Sequence, residues 1–439
     1  MKTERPWPFV TVTLKGERAL KAGHLWVYAG EVIATQDVVD GQLCDVFGPG
    51  RKYLGTGFYN SRSLLRVRVV STNANDRFDQ AFWRRRIQYA VDYRRRVMGA
   101  DFSSCRLIYG DADGFPGLTV DKFEDLLVAQ VMCLGIDRIK DDLLRALCDV
   151  LQEGNTPVRG VYERSEGALR EKEGLADSVG FLLVPGSSVS ENEAHERSKG
   201  VSREESGWAD SAGSPPTFSP STPDPTVIIT ENGVRYRVDV ADGQKTGFFL
   251  DQKHNRRAVA ALAKGLNVLD CFTHTGAFAL NCLKNGAASV TCVDSSQEAL
   301  DRARENAQLN GVEDRITLVR ADALKWLPEQ AALRRQFDLV ILDPPAFAKV
   351  RTAAANAYNG YRDINRHALA LLKRGGFLAT ASCSHHMPRD LFLRAIAQAA
   401  QDAGVSLRQL ESRGPAPDHP VLLTMPETDY LKFYLLQAV

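Results

Sequence analysis

The run Gly376-Phe377-Leu378-Ala379-Thr380-Ala381-Ser382-Cys383-Ser384-His385-His386 sets a thiol at the end of a strand-sized apolar stretch, among hydroxyls and imidazoles. A lone cysteine is often only a small buried hydrophobe. The same side chain suits one demanding reaction. Carbon 5 of a cytosine is a poor nucleophile, so methylating it calls for prior attack at carbon 6 by a soft nucleophile. A thiolate is strongly nucleophilic even as a minor fraction of the thiol at pH 7. An acid near ring nitrogen 3 stabilises such an adduct, and Asp343, in Phe337-Asp338-Leu339-Val340-Ile341-Leu342-Asp343-Pro344-Pro345-Ala346-Phe347, is the candidate. There an apolar strand delivers one carboxylate to its carboxyl end, two prolines stiffen the loop that follows, and Phe347 offers a rigid aromatic to a flat base. A rigid turn without chemistry is the plainer reading of that stretch. His385 and His386 point in different directions, and no third ligand accompanies them at a convincing spacing, so no metal is expected.

Three more turns carry acids where a ligand would lie. Val268-Leu269-Asp270-Cys271-Phe272-Thr273-His274-Thr275-Gly276 has a polar turn with a single glycine for close approach, and Asp270, Phe272 and Gly276 are the candidate cofactor contacts. This is not G-x-G-x-x-G, so a ligand without phosphates, such as S-adenosylmethionine, fits better than a dinucleotide. An ordinary strand-to-helix connection is the alternative. In Thr291-Cys292-Val293-Asp294-Ser295-Ser296 an acid at a strand end can accept bonds from both ribose hydroxyls. Asp294, with Ser295 beside it, takes that role unless it merely caps the next helix, a task open to Ser295 or Ser296. Asp322 ends the following strand and is placed against the adenine amino group.

These turns need strands to hold them. Asn267 to Asp270, Ser289 to Asp294, Ile316 to Val319, Phe337 to Leu342 and Gly376 to Ala381 alternate with helical stretches, the pattern of a mainly parallel, doubly wound α/β sheet with ligands beyond its carboxyl ends. A hairpin at Glu231-Asn232-Gly233 opens this domain, taken as 226–439. Residues 1–75 read as a small β-rich domain and 76–184 as a small α+β domain. Ser, Pro and Glu dominate 185–225, which cannot offset its ordering entropy by burial and is expected to be a disordered insertion. Arg84, Arg85 and Arg86 stand roughly three turns from Arg94, Arg95 and Arg96 on one helical stretch. That charge is either a solvated face or a phosphate-contacting ridge.

The 439 residues carry Lys+Arg 55 against Asp+Glu 54, a formal net charge of +1, so nucleic-acid binding must come from local basic patches. With 44% hydrophobic and 25% charged residues the chain is globular in composition. The charged, proline-bearing start lacks the apolar run of a signal peptide, and no stretch approaches the roughly eighteen apolar residues of a membrane span. A cytoplasmic protein without membrane contact is expected. The 8 cysteines include no C-x-x-C pair, which argues against a zinc ribbon or a disulfide framework.

The chain resembles the class I S-adenosylmethionine-dependent methyltransferases that act on cytosine carbon 5 of large-subunit ribosomal RNA and carry an N-terminal PUA domain. Gly57-Phe58-Tyr59-Asn60-Ser61-Arg62-Ser63 is similar to the end of that PUA domain, and Gly23-His24-Leu25-Trp26-Val27-Tyr28 to its His-Pro-Trp-Val-Phe, with Leu25 in place of the proline. Arg106 to Asp121 and Tyr162-Glu163-Arg164-Ser165-Glu166 resemble its central domain. The most specific matches are Gly243-Gln244-Lys245-Thr246-Gly247-Phe248-Phe249-Leu250-Asp251-Gln252 with Arg256, Asp343-Pro344-Pro345-Ala346-Phe347, and Ser382-Cys383-Ser384-His385-His386. The resemblance implies a Rossmann-like methyltransferase domain with Gln244, Asp251, Gln252 and Arg256 near the cofactor or its entrance. It also implies Cys383 as nucleophile, Asp294 and Asp322 as adenosine contacts, and large-subunit ribosomal RNA as partner. Two departures stand out. Better-known cytosine-C5 RNA methyltransferases carry a second cysteine after the fourth strand, which helps release the product, and Asp343-Pro344-Pro345-Ala346 has none. The 185–225 insertion is also longer than the family pattern.

Two other functions compete. A guanine or adenine N-methyltransferase would use the same fold without a covalent adduct, and a non-catalytic RNA-binding ribosome-assembly factor would keep the domain as a scaffold. The oligomeric state is left open, with a homodimer among the options.

Overall fold

The computed structural model describes residues 7–183, 223–243, 246–347 and 354–439; Gln244 and nearly all of the 185–225 insertion lie outside them. The described residues fall into two compact units, one within Met1–Val227, Val238–Phe248 and Leu422–Met425, the other within Ile228–Arg237, Phe249–Val421 and Pro426–Val439.

The first unit holds two sheets. Strands β1 (Phe9–Val12), β2 (Trp26–Tyr28), β3 (Val32–Gln36), β4 (Leu43–Phe47), β5 (Tyr53–Tyr59) and β6 (Leu65–Ser71) form one in the order β2-β6-β5-β4-β1-β3. Alternating valines close its core, among them Val10, Val12, Val67 and Val69. Gly57 is fixed by close approach: a Cβ there would stand 2.2 Å from the Arg68 carbonyl oxygen. The second sheet runs β11-β10-β9-β8-β7 through β7 (Ser104–Tyr109), β8 (Leu118–Phe123), β9 (Leu126–Val131), β10 (Gly160–Ser165) and β11 (Ser178–Leu183). Helices Gln80–Met98 and Leu134–Glu153 bury Trp83, Ile87, Leu144 and Leu147 in the same core as its strands, an α+β arrangement.

Next in the sequence, β12 (Thr226–Glu231) and β13 (Val234–Asp239) form the expected hairpin. Asn232 and Gly233 both take positive φ, as a two-residue turn matched to strand twist requires.

The second unit is built on β14 (Asn267–Cys271), β15 (Ser289–Asp294), β16 (Ile316–Arg320), β17 (Phe337–Leu342), β18 (Leu372–Ser382), β19 (Leu407–Arg413) and β20 (Lys432–Ala438). Their order is β16-β15-β14-β17-β18-β20-β19. The first five strands pair in parallel, while β20 lies antiparallel between β18 and β19. Strand order reverses between β14 and β17, and in open α/β sheets ligands bind beyond the carboxyl ends of the strands at such a point. Asp270 and Asp343 stand there. All five strands read from the sequence are present; β18 starts earlier than Gly376, and the sequence reading did not single out β19 and β20.

Candidate active site at the carboxyl edge of the parallel sheet

Asp270, 1% exposed, is delivered by β14. Its Oδ2 accepts from Thr273 Oγ1 (2.6 Å) and the Ala279 amide (3.1 Å), while Oδ1 is buried without a hydrogen-bond partner among the described residues. Burial pushes this carboxyl up to about 7, and the charges of Asp343 and Asp294 add to the shift. The turn after it is strained: Phe272 and His274 both have positive φ, at a cost of order 1–3 kcal/mol each. Gly276 follows at φ 78 and opens helix Ala277–Lys284.

Asp294 folds over that turn. Its Oδ2 accepts from the His274 amide (2.9 Å) and its Oδ1 from the Ser296 amide (3.0 Å). Ser296 caps helix Gln297–Leu309 through the Ala299 amide, which leaves Ser295 exposed and Asp294 without the capping task. Asp322 does cap, accepting from the Leu324 amide (3.0 Å) at the start of helix Ala323–Ala332. Its carboxylate is exposed.

Asp343 emerges half-buried from β17, and Gln252 Nε2 donates to its Oδ1 (3.0 Å). Gln252 in turn accepts from Asn255 Nδ2 (2.6 Å), so the carboxylate is aimed by a buried amide chain. The adjacent Asp251 accepts from the Tyr430 hydroxyl (2.5 Å). Arg256 is 3% exposed and forms a buried pair with Glu231 (2.8 and 2.9 Å). It also donates to the Phe249 carbonyl (2.6 Å), so this guanidinium secures the segment that carries Asp251 and Gln252.

Cys383 follows the last residue of β18 and is half-buried. Only Cys148 shares that exposure; the other six thiols are buried. Burial pushes the thiols of Cys44, Cys133, Cys148, Cys271, Cys282 and Cys292 up, keeping them protonated. Tyr361, from helix Ala354–Ala370, ties the two motifs together: its hydroxyl accepts from Ser382 Oγ (2.9 Å) and its ring lies 4.7 Å from that of Phe347. Burial pushes its phenol up to about 12, and the charges of Cys383 and Asp343 add to that shift. The sequence reading missed Tyr361, whose only signal was a tyrosine on an amphipathic helix after the Asp-Pro-Pro turn.

The arginines do not form one ridge. Arg94 is fully buried and forks onto Asp113 (2.5 and 2.7 Å), because the helix turns it toward the core. Arg84 pairs with Glu153, Arg86 donates to the Gly114 carbonyl, and Arg95 reaches the Gly154 carbonyl. Arg85 and Arg96 are exposed on a stripe that includes Tyr89 and Tyr93. Among the described residues no group of three or more His, Cys, Asp or Glu side chains is arranged to hold a metal. No helix among them is long and apolar enough to cross a membrane.

Comparison with known proteins agrees with this architecture. A family described as S-adenosylmethionine-dependent methyltransferase matches residues 210–424, and one described as a PUA-like domain matches residues 10–72. Ribosomal RNA large subunit methyltransferase I of Klebsiella pneumoniae (strain 342) is 35% identical over 440 residues, covering 100% of both chains. The protein of that name from Aeromonas hydrophila is 36% identical over 425 residues, 96% of this chain and 97% of its own. Among solved structures, a SAM-dependent methyltransferase from Streptococcus mutans superposes with a TM-score of 0.74 at 19% identity, covering 98% of this chain and 99% of its own. A methyltransferase solved in complex with SAH gives 0.75 at 20% identity with the same coverage. These two likenesses establish the shared fold.

Proposed function

Because the chain belongs to the S-adenosylmethionine-dependent methyltransferase family, with a PUA-like domain at its N-terminal side, we propose that it methylates carbon 5 of a cytosine in large-subunit ribosomal RNA, with Cys383 as the nucleophile. The methyl donor is S-adenosylmethionine, which supplies an electrophilic methyl group on a sulfonium. The residues fit it. Asp270 offers a buried carboxylate oxygen without a partner among the described residues, and Asp294 brings a second negative charge near it. Asp294 is the candidate for the ribose hydroxyls, with Ser295 beside it, and Asp322 for the adenine amino group. Asp251, Gln252 and Arg256 shape the entrance, and Gln244 is assigned to it from the sequence motif alone.

The observation that carries the cytosine reading is the position of Cys383. It is a half-buried thiol at the sheet's carboxyl edge, with Tyr361 linking its strand end to the Asp343-to-Phe347 turn. The Cys383 thiolate forms a bond to carbon 6, and the pair of electrons from the ring double bond moves toward ring nitrogen 3, where Asp343 supplies a proton. Carbon 5, now enamine-like, would take the methyl group from the sulfonium, whose carbon–sulfur bond would break to leave the neutral thioether. Loss of the carbon 5 proton to the Asp343 carboxylate or to water restores the double bond and expels the thiolate, and the proton on ring nitrogen 3 leaves to solvent. Phe347 stacks against the base. Exposed Arg85 and Arg96 contact phosphates, with the PUA-like surface adding local affinity.

The test is to incubate the protein with labelled S-adenosylmethionine and unmodified ribosomal RNA, digest the RNA and identify the labelled nucleoside by mass spectrometry. Wild type yields 5-methylcytidine and Cys383→Ala yields none. A labelled purine, or full activity in Cys383→Ala, overturns the reading.

A further inference from the structure

Lys432 opens β20 directly opposite Ser382, the residue before Cys383. It is 2% exposed. Its ammonium donates to the Ser384 carbonyl (2.6 Å) and the Tyr430 carbonyl (2.8 Å), and among the described residues it forms no ion pair. Ser384 is the residue after Cys383, so one buried cation clasps the loop that presents the thiol. A buried charge held by two neutral carbonyls is costly without a counter-charge nearby.

The groups around it narrow the choice. Asp429, on the approach to β20, is engaged by Arg389 from the first turn of helix Arg389–Ala403 (3.1 Å). Tyr361, reached through Ser382, stays a neutral phenol at physiological pH. His385 is exposed and packs its ring against Tyr430 at 5.7 Å. Burial pushes the Lys432 ammonium down to about 8 and Arg389 lowers it further, whereas Asp429 and the Cys383 thiolate draw it back up. Cys383 is the acidic group whose two chain neighbours Lys432 meets, Ser382 by strand pairing and Ser384 by hydrogen bond.

We infer that Lys432 is a positioning residue for the methyl transfer: its ammonium holds the Cys383 loop and favours the thiolate over the thiol. The inference rests on the nucleophilic reading of Cys383. Each charge favours the other, so removing the cation raises the pH at which the thiol ionises, and removing the thiolate lowers the pH at which the ammonium titrates.

Two measurements test it, neither of which needs methyl transfer to occur. The first is the rate of iodoacetamide alkylation of the Cys383 peptide against pH, followed by mass spectrometry in wild type, Lys432→Met and Lys432→Arg. S-Adenosylmethionine binding by calorimetry reports the fold of each. The alkylation midpoint is expected to rise by about one unit or more in Lys432→Met, a tenfold loss of thiolate at neutral pH, and to stay near wild type in Lys432→Arg. The second is carbon-13 NMR of the Lys432 side chain, where Cys383→Ser is expected to lower the ammonium's midpoint. An unmoved alkylation midpoint in folded Lys432→Met, or an unmoved lysine midpoint in Cys383→Ser, overturns the inference. If Cys383→Ala keeps methylating RNA while both midpoints move, the nucleophilic reading fails and the coupling of the two groups stands.

Discussion

On the proposed assignment of Asp270 to the donor, whose sulfonium favours an ionised carboxylate, S-adenosylmethionine binding is expected to weaken as pH falls below 7. Burial places this carboxyl at about 7 instead of 3.8. At pH 6 only about a tenth of it is charged, so affinity should drop about tenfold between pH 8 and pH 6, about 1.4 kcal/mol. The free protein is expected to show the reverse trend. Between 3.8 and about 7 the folded state holds a proton that the unfolded state has lost, so stability falls as pH rises, by up to about 1.4 kcal/mol per unit and about 4 kcal/mol in all. Asp270→Asn removes that slope. It leaves an amide group where Oδ1 has no partner, which takes back about 1–3 kcal/mol, so the variant should be more stable than wild type at pH 8 by about 1–3 kcal/mol while binding the donor more weakly. Calorimetry in two buffers of different ionisation enthalpy, from pH 5.5 to 8.5, gives the affinity and the protons released; close to one proton should leave at pH 6. Urea unfolding at pH 6 and 8 gives the stability. A dissociation constant flat across that range with no proton released would refute the assignment of Asp270 to the cation.

The arginines separate into structural and RNA-facing groups. Arg94→Met strands Asp113 in the core and should cost about 3–5 kcal/mol, lowering the melting temperature by on the order of 10 °C in differential scanning calorimetry. Charge reversal of Arg85 and Arg96 together should leave that temperature nearly unchanged while weakening RNA affinity and flattening its salt dependence in a filter-binding titration; unchanged affinity would make the stripe a solvated face.

The parallel strands were legible because each is a short apolar run bounded by polar turns, and the hairpin because Asn232-Gly233 suits its turn. Strands β19 and β20 were not. Leu407–Arg413 is a polar edge strand, and Lys432–Ala438 begins with a lysine that only its tertiary setting buries. Three charged residues show the same limit. Six arginines in two triplets leave a ridge and a solvated face both open, whereas a helix of 3.6 residues per turn sends neighbours to different sides, and Arg94 lands on Asp113. The sequence gives no sign that the Arg256 guanidinium is engaged by Glu231 and the Phe249 carbonyl. Nor does it show that the Asp322 carboxylate caps a helix through the Leu324 amide. The positions of the acids at the ends of β14, β15 and β17 were readable because each apolar run marks where its strand stops. Tyr361 and Lys432 reach the site from a helix and an antiparallel strand, and a strand-end rule says nothing about those.

The unfavourable features of the site share one logic. An orphaned carboxylate oxygen on Asp270, two non-glycine residues at positive φ and a buried ammonium without an ion pair each cost stability in isolation. Their signs differ by location. Carboxylates gather at the ends of β14, β15 and β17, and the cation sits where β18 meets β20. On the proposed reading, the positive sulfonium is drawn to the acids and the negative thiolate to the lysine, so electrophile and nucleophile are each held in a potential of opposite sign. A uniformly acidic crevice would bind the donor as well but would suppress the thiolate by like-charge repulsion. The buried lysine on an antiparallel strand therefore lets a single sheet edge serve both reactants, and the edge's strain and desolvation are offset only when both are present.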